Sequence, residues 1–104
     1  MGMDRIAALN ELLTQDPNNA FARYGLAMEH SNSGDFERAL EEFGKLLAAN
    51  PDYVPGYHMC AQTLVKAGRA DQARTTLENG IAAAQRKGNS HAESEMSALL
   101  EELA

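Results

Sequence analysis

The stretch Ala20–Tyr53, AFARYGLAMEHSNSGDFERALEEFGKLLAANPDY, runs directly into Val54–Lys87, VPGYHMCAQTLVKAGRADQARTTLENGIAAAQRK, and the two keep step at an offset of 34 residues. Ala27 falls on Ala61, Gly34 on Gly68, Ala39 on Ala73, Phe43 on Leu77 and Pro17 on Pro51. A fixed period of this length signals stacked helix-turn-helix units, because one helical hairpin cannot bury its own apolar face without a neighbour. The small residues fit that reading. A methyl group at Ala27, Ala39, Ala61 and Ala73 lets antiparallel helices approach near the short end of the usual interaxial range, where a leucine would hold them apart. Gly34 and Gly68 come where the chain must reverse, and glycine enters the left-handed conformation without steric cost. Pro17 and Pro51 disfavour helical geometry in Asp16 and Asn50, so each closes one helix and spaces it from the next.

These residues resemble the tetratricopeptide repeat (TPR). In the first copy the family's segment reads Leu26-Ala27-Met28-Glu29-His30, followed by Gly34-Asp35-Phe36, Ala39, Phe43, Leu46 and Pro51. In the second it reads Cys60-Ala61-Gln62-Thr63-Leu64, then Gly68, Ala73, Leu77 and Gly80, with Tyr57 at the leading aromatic place. Arg23 replaces that aromatic in the first copy, and Gln85 replaces the closing proline in the second. The resemblance implies an all-α fold, a right-handed α-solenoid of stacked antiparallel helix pairs.

The flanks extend the stack to six helices in a single domain. Residues 4–16 match the second helix of a preceding repeat, with Ile6, Leu9, Leu12 and Leu13 in the places of Leu40, Phe43, Leu46 and Leu47. The repeats occupy 20–53 and 54–88, and 89–103 form a terminal helix. Ser90 and Glu93 have the spacing of a capping box at its start. Ala92, Met96, Leu99, Leu100 and Leu103 recur on one face of that helix, with Glu93, Glu95, Glu101 and Glu102 on the other. Such a helix is expected to seal the open end of the stack, and a terminal cap of this kind keeps solenoids soluble.

Composition narrows the function. A formal charge of −6 with nine scattered basic residues argues against nucleic-acid binding, which needs clustered cations to displace counterions. Arg86 and Lys87 are adjacent but close a helix, where cations favour the macrodipole. No apolar run is long enough to span a membrane, no secretory leader is evident, and Ile6 stands where a myristoylation motif needs Ser or Thr, so a cytoplasmic location is expected. Cys60 is single and aligns with Leu26, which reads as a small core residue. His58 and Cys60 are two apart on a helix and face different ways, so they make no local chelate. His30 occupies a core-facing aromatic place and is expected to be buried and hydrogen-bonded. No phosphate loop, metalloprotease helix or nucleophile motif appears, so neither an enzyme nor a cofactor is expected.

What remains is a surface. In TPR proteins the first helix of each repeat lines a concave groove that holds an extended peptide or a partner helix. Carried over by position, that groove comprises Phe21, Tyr24, Met28, Ser31 and Asn32, then Pro55, His58, Gln62, Val65 and Lys66. Phe21, Tyr24 and Met28 are its expected anchors, since aromatic residues dominate interface energies and methionine adapts to varied apolar ligands. Core use of Phe21 under the N-terminal helix, or a swing of Tyr24 into the place of the missing aromatic, competes with that role. The family's clamp for the terminal carboxylate of heat-shock chaperones uses Lys and Asn, but Tyr24, Met28 and Met59 hold the corresponding places here. The expected function is a non-enzymatic protein-interaction module. A homodimeric scaffold unit using the same apolar surface is the alternative.

Overall fold

The computed structural model describes residues 2–104, with side chains from Asp4 onward. Among the described residues it contains six α-helices and no strand: α1 Gly2–Gln15, α2 Ala20–Asn32, α3 Phe36–Ala49, α4 Val54–Lys66, α5 Ala70–Arg86 and α6 Ser90–Glu102. Each helix packs on the next in the chain order α1 to α6. In addition α2 touches α4 and α4 touches α6, so the two helices one repeat apart lie side by side. This is an all-α helical-repeat solenoid.

Local chemistry explains where the helices stop. The side chains of Asn19, Asp35 and Asn89 accept from the backbone N–H groups of Ala22, Arg38 and Ala92, satisfying donors that have no partner inside the first turn. The capping box expected at Ser90 and Glu93 is therefore displaced by one residue. Asn89 holds the cap position, Ser90 is already helical, and the Glu93 carboxylate accepts from Gln85 Nε2 at 2.9 Å. At the C-terminal ends of α2, α4 and α5 the chain turns on Gly34, Gly68 and Gly88, with φ of 85°, 77° and 67°. The residue after each glycine donates back to the last turn, Asp35 to His30 O, Arg69 to Leu64 O and Asn89 to Ala84 O, at 2.9, 2.8 and 2.8 Å. Gly88 does for the long α5 what Gly34 and Gly68 do for the first helices. With Gln85 where a proline would stop it, α5 runs to 17 residues against 14 in α3.

The core follows the repeated alanines. Ala27, Ala39, Ala61 and Ala73 are all wholly buried, together with Phe43, Leu46, Leu77 and Met96. α1 joins through a smaller cluster of Leu9, Ala22 and Leu26, in which Leu9 lies over Gly25. Gly80 shows how tight the second repeat is. A methyl group there would come within 2.6 Å of both Met96 Sδ and Tyr57 Cβ, so only glycine lets α4 and α6 approach α5 at this point. Leu46 holds the same place one repeat earlier, and in the second repeat Met96 of α6 fills the equivalent space.

Candidate functional site

The first helices of the repeats, α2 and α4, carry the ten residues expected to line a groove. Phe21 is 70% exposed, so α1 does not cover it. Tyr24 and Met28 are half-buried and lean on the core. The Tyr24 ring meets Phe43 edge-on, with centroids 6.5 Å apart, and tilts against Tyr53 at 5.5 Å. It does not swing into the place of the missing aromatic, because Arg23 fills that place itself. Arg23 Nη1 lies 2.6 Å from Glu42 Oε1, and Nη2 donates to Pro17 O at 3.1 Å. Burial, together with the charge that Tyr53 would carry, raises the Tyr24 hydroxyl above the usual phenol range, so it stays a neutral hydrogen-bonding group.

Ser31 is a correction. It is buried, and its hydroxyl lies 2.9 Å from Thr63 Oγ1. The Thr63 hydroxyl donates its one hydrogen to Met59 O at 2.9 Å, so Ser31 must be the donor between them. This bond ties α2 directly to α4 and removes Ser31 from any exposed surface. The serine hydroxyl found a partner in Thr63, which sequence periodicity did not single out.

On α4, His58 and Gln62 are half-buried and bonded to each other, with Gln62 Nε2 3.1 Å from His58 Nε2. An amide nitrogen can only donate, so in this arrangement the neutral imidazole carries its proton on Nδ1. Asn32, Pro55, Val65 and Lys66 are exposed. Lys66 makes no ion pair among the described residues, whereas Arg5, Arg23, Arg38, Lys45, Arg69, Arg74 and Arg86 all do.

α6 belongs to the same surface. Aligning the residues that precede the three first helices, Asn19, Tyr53 and Asn89, sets His91, Ser94, Ala98, Glu101 and Glu102 beside Pro55, His58, Gln62, Val65 and Lys66. All five are exposed. Sequence periodicity at 34 residues could not align them, since the longer α5 shifts α6 by two residues; the shared Asn before α2 and α6 was the available signal. The apolar stripe of α6 turns the other way, with Met96 wholly buried and Ala92, Leu99, Leu100 and Leu103 partly so.

Two other groups are inert. Cys60 is buried and burial raises its thiol to about 11, so it is protonated at neutral pH and packs as a small apolar residue. His30 is buried as expected, but its ring finds no hydrogen-bond partner among the described residues. It opens instead onto a cleft with Ile6, Ala7, Asn10, Ser33, Asp35 and Arg38. No group of three or more His, Cys, Asp or Glu side chains suited to a metal ion occurs among the described residues, and no described helix is long and apolar enough to cross a membrane.

The chain matches known proteins along most of its length. Residues 31–102 fit the model of the tetratricopeptide repeat family. A TPR repeat-containing protein of Pseudomonas aeruginosa is 33% identical over 98 residues, spanning 94% of this chain and 93% of that protein. The solution structure of a tetratricopeptide repeat domain protein from Salinibacter ruber is 33% identical over 85% of this chain and 89% of its own, with a TM-score of 0.79. PcrH, solved in complex with the chaperone binding region of PopD, has a TM-score of 0.90 over 98% of this chain and 77% of its own, but at 18% identity that likeness speaks to the fold alone. With the repeat register, the six-helix stack and these matches in agreement, the chain belongs to the tetratricopeptide repeat family.

Proposed function

We propose that this chain is a non-enzymatic protein-interaction module that takes a peptide or a partner helix on the concave side formed by α2, α4 and α6. Phe21 carries the reading: a phenyl ring left 70% exposed beside two half-buried groups, Tyr24 and Met28, is the arrangement of an interface anchor. Asn32, Pro55, His58, Gln62, Val65 and Lys66 extend the surface with hydrogen-bonding groups and one unpaired cation. α1 acts as a half-repeat that closes one end, and α6 seals the other while adding its exposed face to the groove. PcrH holds a segment of PopD on the same fold, and the same use is carried over here as part of the proposal.

The test is affinity for a captured partner. Tyr24→Ala should weaken binding by about 1–2 kcal/mol or more, as loss of a hot spot does, while helical signal and melting point are retained. Normal binding by Tyr24→Ala and Met28→Ala, with affinity that collapses as salt rises, would move recognition to a charged surface and overturn the assignment. Self-association through Phe21 is the second reading, since the same exposed ring could seat on a second copy. Light scattering separates them: a concentration-dependent dimer lost in Tyr24→Ala favours the homodimer, a monomer favours a foreign partner.

A further inference from the structure

We infer that the α6 wall of this surface selects a basic residue, so that the partner is an extended segment bearing an apolar residue at α2 and a Lys or Arg about six residues away at α6. This deepens the reading of α2, α4 and α6 as the binding face and rests on it. Side by side, the three helices offer surfaces of different chemistry. α2 presents Phe21, Tyr24 and Met28. α4 presents the bonded His58–Gln62 pair and Lys66, and α6 presents Glu101 and Glu102. The apolar and acidic ends are two helix spacings apart, about 20 Å at 8–10 Å each. An extended chain covers that in about six residues.

The two carboxylates are poorly placed for stability alone. They lie in the last turn of α6, which has no basic residue, and a carboxylate there opposes the negative end of the helix dipole. Neither forms an ion pair among the described residues, although seven acidic groups elsewhere in the chain do. The nearest basic group at that helix end, Arg74, is already committed, donating to Leu103 O at 2.8 Å and pairing with Asp71. Lys66 stands in the adjoining row yet pairs with neither. Unpaired carboxylates, a helix C-terminus and a bound-up arginine together leave this end of the surface complementary to a cation.

A phage-displayed library of random linear peptides, selected on the whole chain, tests the idea. Selected peptides should share an apolar residue and a Lys or Arg at a fixed separation on one side of it. The best of them should bind the Glu101→Gln, Glu102→Gln double variant about three- to fivefold more weakly, as loss of exposed ion pairing does. The charge-matched Glu41→Gln, Glu78→Gln variant, altered on the second helices, should bind as the unaltered chain does. Peptides with the apolar residue but no basic preference, or equal loss in both double variants, would overturn the inference and leave the groove in place. Failure to select any peptide sensitive to Tyr24→Ala would remove the groove itself, and this inference with it.

Discussion

The two complete repeats solve the same contacts with different side chains. Tyr57 stands at the leading aromatic place of the second repeat and donates its hydroxyl to Pro51 O at 2.7 Å. Arg23, at the same place in the first, donates to Pro17 O at 3.1 Å, and Pro17 is the matching loop residue. The arginine needs something more, because its charge is only 18% exposed, and Glu42 supplies it where the second repeat has Thr76. A second exchange involves volume. Leu46 fills the first repeat from within α3, whereas Gly80 leaves that space in α5 open and Met96 enters it from α6. What the repeat preserves is therefore a set of contacts, and the first repeat is internally complete where the second borrows from the terminal helix.

The largest way to break that comparison is to remove the borrowed helix. Truncation after Gly88 should cost about 3 kcal/mol or more, from loss of the buried Met96 alone, or send the protein into aggregates. Thermal melts and light scattering read this, and a soluble truncation as stable as the full chain would refute α6 as a seal. Glycine substitutions sharpen it. Gly80→Ala should destabilise by about 1–3 kcal/mol through overpacking, as should Ala27→Leu or Ala73→Leu. Gly44→Ala, at an exposed place in α3 where the added methyl meets nothing, should stabilise by about 0.5–1 kcal/mol from helix propensity. Equal melting points for Gly80→Ala and Gly44→Ala would mean that the close crossing at Gly80 does not exist.

The polar exchange should show smaller effects. Glu42→Ala, which strands a half-buried guanidinium, should cost about 1–3 kcal/mol, and Tyr57→Phe about 1 kcal/mol for its single hydrogen bond. Urea titration of the two variants checks the order. Smallest at neutral pH is the pair Leu26 and Cys60. The buried thiol titrates at about 11, above its unfolded value of 9.0, so the stability it contributes is fully present below pH 9 and is lost as pH rises toward 11. Cys60→Leu, which makes the second repeat match the first, should flatten the fall in melting temperature across that window. An unchanged slope would mean that the thiol is not buried.

Much of this was legible from residue spacing. The 34-residue register, the buried alanines and the glycine turns follow from rules that act within a few residues, as do the two loop prolines. Three things were not. Ser31 faces inward because it meets Thr63 on a neighbouring helix, a contact 32 residues away that no local pattern announces. The cap of α6 shifted to Asn89 because a side chain just outside the helix competes with Ser90 just inside it, and both spacings look acceptable in sequence. The role of Arg23 depends on Glu42 across the hairpin, so a departure from the repeat looked like a gap when it was a replacement. The exposed face of α6 was hidden for a different reason, since the longer α5 breaks the period that aligned everything before it.

The account turns most on which face meets the partner. Amide chemical shifts of the 15N-labelled chain, followed while a selected peptide is added, map that face residue by residue. Changes should concentrate on Phe21, Tyr24, Met28, His58, Gln62 and Ala98, across α2, α4 and α6. Changes confined to exposed residues of the second helices, such as Glu41, Lys45, Thr75 and Glu78, would contradict it.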